Sequence, residues 1–228
     1  MSDRPSPNPA VTVERSEAGV LTVRLDDGKA NVLNTPAIAA LDAALDHPDV
    51  RALCLIGRPG YFCAGYDLAE MKLGTDQATG LSTAGQALMN RISNSPYPTV
   101  AAITGHALAA GAALALAFDV RIAADGPYTI GFPELAKGMA LSPTSTRLAV
   151  ERLSSTHLRR AVLEAALFTP ATSMDAGFVD DVVDVEQVAE AAIDRATRLA
   201  TFPPRSFSRT KALLTQFIAQ TDRKELSA

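Results

Sequence analysis

Tryptophan is absent from the chain, cysteine occurs only as Cys54 and Cys63, and histidine only as His47, His106 and His157. These few ligands are scattered without the close spacing of a Cys/His metal site, and two cysteines in or near apolar segments make no disulfide framework. Basic residues are not in excess either: 21 Lys and Arg stand against 25 Asp and Glu, a net charge of −4. That balance argues against nucleic acid or an anionic membrane as the main partner, and it leaves room for a local basic contact with one phosphate. No stretch has the basic start and apolar centre of a secretory signal, so the cytoplasm is the expected location. What is present is ordinary for a soluble globular protein, with 47% hydrophobic and 20% charged residues in 228, enough for one large domain with a sizeable core.

One long run lacks charge altogether, Val100 to Phe118, and its length alone would suit a membrane helix. Its composition does not. The run is mostly Ala, is interrupted by Gly105, His106 and Gly111, and starts after Pro98 with residues that favour extended backbone. It reads as a buried strand from Thr99 to Ile103 and then, within the sequence HALAAG, the start of an Ala-rich helix near Leu108. The first N–H groups of a helix have no partner inside it, so a turn of small residues here offers donors to a ligand oxygen.

Around that stretch the chain reads as repeated strand, turn and helix. Residues 1–9 hold three prolines and little to bury, and are expected to form a disordered tail. Alternating residues in Val11 to Arg15 and Val20 to Leu25 predict a hairpin, and Gly28 to Asn34 a loop leading to a helix capped by Thr35, with Pro36 in its first turn. Val50 to Ile56 is a buried strand. It delivers a second small-residue turn, Cys63-Ala64-Gly65-Tyr66, followed by a helix from Asp76 to Ser93 with Ala84, Leu88 and Ile92 on its buried face. Beyond Glu134, helices are predicted from Ser142 or Pro143, over Ser154 to Phe168, after a Ser173 cap to Gly177, over Glu186 to Ala200 and over Arg205 to Gln220, with a strand at Phe178 to Val185. The repeated units are expected to form the core over 10–185, with 186–228 as a C-terminal helical segment packing on it or on a neighbouring subunit.

Phe62-Cys63-Ala64-Gly65-Tyr66-Asp67-Leu68, Pro98 through Ala124, and Phe132-Pro133-Glu134 together resemble the signature of the crotonase superfamily, the enoyl-CoA hydratases and isomerases. Any one piece is weak; the three in this order and spacing are specific. The resemblance implies an α/β spiral of ββα turns with C-terminal helices, assembled as trimers that often pair into hexamers. It implies an acyl thioester of coenzyme A as substrate, the CoA being part of the substrate and no cofactor being required. The thioester oxygen would be held by the backbone N–H groups of Tyr66 and Ala110. Removing a proton beside a thioester carbonyl places negative charge on that oxygen, and two preorganised donors stabilise the enolate.

Family hydratases use two glutamates, and the resemblance places the first at Ala113 and the second at Glu134. One carboxylate remains. A single carboxylate suffices to move a proton from the α- to the γ-carbon, so the pattern is similar to that of the isomerases that shift a double bond from position 3 to position 2, with Glu134 as acid and base. Alternatives are a hydratase, decarboxylase or hydrolase acting on a polar acyl group, or a noncatalytic acyl-CoA binding protein. The same resemblance places Ala64, Gly65, Asp67, Leu68 and Gly111 around the acyl group, Lys29 and Ala30 against the CoA arm, and Lys211 at a phosphate. His106 either reaches substrate or is a hydrogen-bonded core residue, Cys63 reads as a buried filler, and Asp67 reads better as a helix cap than as a base. Ser142, with Thr144 and Ser145, either binds a polar acyl group or caps a helix.

Overall fold

The computed structural model describes residues 10–225, with side chains through 218; the tail expected at 1–9 lies outside them. The hairpin forms as read: β1 (Val11–Arg15) pairs antiparallel with β2 (Val20–Leu25). A short β3 (Val32–Leu33) and helix α1 (Thr35–Ala44) follow, then β4 (Ala52–Ile56), β5 (Gly60–Cys63) and β6 (Gly65–Tyr66), leading to α2 (Leu68–Met71) and α3 (Thr75–Ser93). The unit then repeats as β7 (Thr99–Ile103), β8 (Gly105–Leu108) and α4 (Ala110–Leu116), and again as β9 (Val120–Ala124) and β10 (Ile130–Gly131). The chain closes through α5 (Pro143–Arg152), α6 (Ser155–Leu163), β11 (Leu167–Phe168), α7 (Pro170–Ala176), β12 (Asp181–Val183), α8 (Val188–Ala200) and α9 (Pro204–Glu225).

Beside a short β3-β6 pair, each turn of the chain from β4 onward thus contributes one strand to each of two sheets. The larger runs β1-β2-β4-β7-β9-β12 and is parallel after its first pair; the smaller runs β11-β10-β8-β5. Because side chains alternate along a strand, each central strand feeds two cores. Leu53, Leu55, Ala101 and Ile103 face the main core. Ala52, Cys54, Ile56, Val100 and Ala102 face the other way, onto Val188, Ala192, Ala196 and Ala200 of α8. That spacing of four puts small residues along one helical face and lets α8 lie close on the sheet. Arg51 ties down its C-terminal end through its guanidinium, which donates to the Ala200 carbonyl at 2.8 Å.

Several local expectations are corrected. Asn34, not Thr35, caps α1, its side chain accepting from the Ala37 N–H at 2.8 Å, while Thr35 gives its N–H and hydroxyl to the Glu70 carboxylate. The buried face of α3 is Leu81, Gly85, Leu88, Met89 and Ile92; Ala84 is exposed. The helix expected to begin within HALAAG does so at Ala110, two residues beyond Leu108, and His106 to Leu108 are strand because Gly105 packs against the Gly60 backbone and allows β5 and β8 to pair. The helix expected over Ser154 to Phe168 stops at Leu163: Ala165 takes a positive φ of 50° and Leu167–Phe168 pairs with β10. Thr169 caps α7 in a reciprocal box with Thr172, and Ser173 is buried inside that helix, donating to the Pro170 carbonyl. Among the described residues no helix is long and apolar enough to cross a membrane.

Candidate active site

The first of three converging turns is shaped from behind by the loop between β2 and β3. Asn31 is fully buried with a φ of 54°, and its side-chain amide donates to the carbonyls of Leu25 (2.6 Å), Tyr61 (3.1 Å) and Phe62 (3.3 Å). Partial burial works against the charge of Asp27. Even so, the N–H groups of Asn31, Lys29 and Val32, with the Arg58 cation, hold its carboxyl below the usual range. Ala64 donates to the Ala30 carbonyl and Asp67 to the Leu33 carbonyl, each at 3.1 Å. N–H groups alternate in direction along a strand, so the bond from Asp67 leaves the Tyr66 N–H pointing away from β3.

The second turn lies against the first. A methyl on Gly65 would stand 3.1 Å from the Ala109 side chain and 3.4 Å from the Ala110 nitrogen, and one on Gly111 only 2.0 Å from the Cys63 carbonyl oxygen. The sequence alone could not show that these turns meet; their glycines are what lets them. Ala110 is the first residue of α4, where the N–H has no acceptor within the helix. Ala109 before it has φ 54° and ψ −126°, backbone that favours glycine. Holding alanine there costs about 1–3 kcal/mol, which exceeds the added chain freedom of glycine. Ala109→Gly is therefore expected to stabilise the fold by about 1 kcal/mol in urea denaturation; a loss of stability would mean the turn is not strained.

The third turn is tied to the second, since the Ala109 N–H donates to the Gly131 carbonyl at 3.0 Å, three residues before Glu134. Phe132 is fully buried and stacks in a tilted row on Phe178 (5.6 Å) and Phe168 (5.5 Å from Phe178), which fixes the chain entering the turn. The N–H groups of Lys137 and Met139 both bond the Glu134 carbonyl at 2.9 Å. Glu134 as a whole is 9% exposed, and its Oε2 has no hydrogen-bond partner among the described residues. Burial pushes the Glu134 carboxyl above the usual carboxylate range, against the smaller opposing pull of its own N–H and of Lys137.

A cavity of about 170 Å³ opens where the three turns meet. Ala64, Tyr66 and Leu68 line it from the first turn, Ala109 and Ala110 from the second, and Pro133 and Glu134 from the third. Met71 and Ser82, then Lys137, Met139 and Ala140, and Ser142 and Ser145 at the start of α5 complete the wall. A helix N-terminus at Ala110 and one buried carboxylate around a mostly apolar space suit a reaction that builds negative charge on a carbonyl oxygen.

Comparison with known proteins agrees with that chemistry. The family described as Enoyl-CoA hydratase/isomerase matches residues 15–228. The chain belongs to this family. Its members are enzymes acting on acyl-CoA, of the crotonase superfamily. A probable enoyl-CoA hydratase of Mycobacterium tuberculosis is 29% identical over 210 residues, 90% of this chain and 80% of that protein. The mitochondrial enoyl-CoA delta isomerase 1 of Homo sapiens is 32% identical over 206 residues, 86% of this chain and 68% of that protein. The crystal structure of an enoyl-CoA hydratase/isomerase family protein from Pseudomonas syringae superposes with a TM-score of 0.88 at 34% identity, covering 93% of each chain. The spiral described above is the crotonase fold.

Of the residues singled out from the sequence of this hydratase/isomerase family member, Glu134, Tyr66, Ala110, Ala64, Leu68 and Ser142 line one cavity. Gly65 and Gly111 stand behind it as the contact points of the turns. Others are placed elsewhere. Asp67 caps α2, accepting from the Ala69 N–H at 2.8 Å. Of the two roles expected for Ser142 the helix cap is present, its hydroxyl accepting from the Ser145 N–H at the start of α5. His106 faces away from the cavity wall: its Nδ1 accepts from the Thr129 N–H at 3.0 Å, and its ring packs between Tyr61 and Tyr128. The Lys211 ammonium is held by Asp119 at 2.7 Å beside the Tyr97 carbonyl, an ion pair that fastens α9 to the core. Lys29 is exposed on the loop behind the first turn, and both it and Ala30 are outside the cavity wall. Burial pushes the Cys63 thiol up to about 12, which suits a filler and not a nucleophile. Asn31 and Phe132, which set the turns, carry no chemical signal in sequence; an Asn in a loop and a Phe before Pro are ordinary until their surroundings are known.

Proposed function

We propose that the protein is an enoyl-CoA isomerase that moves a double bond from position 3 to position 2 of an acyl-CoA thioester. The observation that carries this reading is the acid content of the cavity: Glu134 is the one carboxylate among its described wall residues. Ala113, where family hydratases would place a second, is fully buried within α4. Water addition by paired carboxylates has no second group to use. In the proposed step the Glu134 carboxylate takes a proton from the α-carbon, and the C–H bonding pair moves toward the thioester carbonyl to give a dienolate whose oxygen carries the charge; when the carbonyl re-forms, the double bond settles between carbons 2 and 3 and the 3,4 pair takes up the proton. The N–H groups of Tyr66 and Ala110 stabilise that oxygen, and the Glu134 carboxyl then delivers the same proton to the γ-carbon. An orphaned Oε2 in an apolar wall supports such a shuttle, because burial that raises the carboxyl pKa makes the group a stronger base toward the α-proton. Coenzyme A enters only as part of the substrate, and the proposed reaction uses no cofactor.

Matched 3-enoyl- and 2-enoyl-CoA substrates test this. Formation of the conjugated 2-enoyl thioester without hydration is the expected result. Hydration, or turnover confined to malonyl-type or polar acyl thioesters, would overturn it in favour of the hydratase, decarboxylase or hydrolase alternatives. Tight acyl-CoA binding with no turnover would point to a noncatalytic binder. We propose further that the chain assembles as a homotrimer, with pairing into a hexamer as the larger form. Leu213 and Leu214 on α9, 46% and 59% exposed, support burial in an assembly; a monomer in sedimentation equilibrium would remove this.

A further inference from the structure

We propose that the phenol ring of Tyr66, seated in a notch that only Gly85 leaves open, is the stop that limits this cavity to short acyl groups. The inference rests on the acyl-CoA reading of the cavity and adds a second task to Tyr66, whose backbone N–H serves the thioester oxygen. The ring leaves β6 and crosses to helix α3. A methyl on Gly85 would stand 2.4 Å from the Tyr66 hydroxyl oxygen, 2.5 Å from Cε1 and 2.9 Å from Cζ, so the phenol lies where any side chain at position 85 would have to be. Its hydroxyl reaches the Ser82 carbonyl of the same helix at 3.3 Å. Gly85 is buried in the middle of α3, where glycine destabilises a helix relative to alanine. The contact with Tyr66 is a reason for that residue to be there.

The wall around the ring is built from Leu68, Met71 and Ser82. Burial pushes the phenol up to about 12, so it is a neutral plug whose hydroxyl donates to the helix. An apolar cavity of roughly 150 Å³ takes a molecule of about six carbons, and the 170 Å³ found here is of that order. A longer chain must displace the ring. The ring has nowhere to retreat, because the α3 backbone is directly behind it.

Calorimetric binding of saturated butanoyl-, octanoyl- and dodecanoyl-CoA separates this from the reaction itself, since none of the three has a double bond to move. The parent should bind dodecanoyl-CoA at least 10-fold more weakly than butanoyl-CoA. Tyr66→Ala, which keeps the backbone N–H, should erase that difference, and Tyr66→Leu, which leaves more of the core filled, should reduce it. Gly85→Ala should force the ring into the cavity and weaken butanoyl-CoA about 10-fold, and adding Tyr66→Ala to it should restore binding. Melting curves establish that each variant is folded, and the Leu variant decides if the Ala variant is not. An unchanged length profile in Tyr66→Leu, or equal parental affinity for all three chains, would overturn the proposal. If the length profile responds as expected while 3-enoyl-CoA is not isomerised, the isomerase reading alone falls. If no acyl-CoA binds the parent, the acyl-CoA reading falls and this proposal with it.

Discussion

Glu134→Gln lowers turnover by about 10²–10⁴-fold and gives a protein that is more stable than the parent at neutral pH. The two effects share one cause. The carboxylate oxygen Oε2 is buried without a partner, so the ionised form that takes the proton is also the form the fold solvates poorly. The sign follows from the raised folded-state pKa. Near and below the ordinary carboxyl value of 4.5 the group is protonated in both states and imposes no penalty. As pH rises toward the folded value, the unfolded chain releases its proton first and stability is lost, and above the folded value the loss levels off. Glutamine, being neutral, escapes this. The stability gain of the variant should therefore be absent in acid, grow with pH and then plateau, as read from urea midpoints across the range. The acid limb of kcat/KM in the parent should lie above the ordinary carboxyl range for the same reason. A variant with parental turnover would remove Glu134 from the chemistry, and one with no pH-dependent stability gain would mean that its carboxylate is solvated after all.

Gly111→Ala damages stability and activity together. The added methyl would stand 2.0 Å from the Cys63 carbonyl oxygen and 2.6 Å from its carbon, backbone atoms with no side-chain rotation to relieve the contact. Overpacking of this kind costs about 3 kcal/mol, and relief requires the two donor turns to separate. A displacement of about 1 Å at reacting groups can cost about 10²-fold in rate, so kcat should fall by that order even in the folded fraction. Gly80→Ala is the control, because a methyl there meets nothing within 4 Å on the exposed side of α3; it should be neutral or slightly stabilising. Parental melting temperature and turnover in Gly111→Ala would show that the turns are not in the contact described.

The chain order of this protein and the nature of its chemistry were legible before any coordinates. Alternation marked the hairpin, turn-bounded apolar runs marked the buried strands, and the small residues at Cys63 to Gly65 and Ala109 to Gly111 marked where backbone comes close to something. These signals are local, set by side-chain size and by periodicity within a few residues. Element boundaries were less secure wherever the run lacked a period. His106 to Leu108 has helix-forming neighbours and became strand only because Gly105 admits the Gly60 backbone. Ala165 and Leu167 left a helical pattern to pair with β10, 36 residues earlier in the register of Gly131 with Leu167.

By itself, then, the sequence determined the succession of strands and helices, the two donor turns and the single carboxylate left by Ala113, because each depends on which side chains are small, branched or ionisable. Tertiary structure alone decided what those groups do. Glu134 became a buried acid rather than a solvated loop residue because Phe132 anchors its turn in an aromatic row, and among the described residues its Oε2 has no hydrogen-bond partner. Lys211 became a clamp on α9 because Asp119, 92 residues away, lies beside it. Asn31 became the brace of the first turn because three carbonyls from two strands converge on one amide. Charge, hydrogen bonding and pKa depend on neighbours in space, and those neighbours are brought together by the packing of the sheets, not by their distance along the chain.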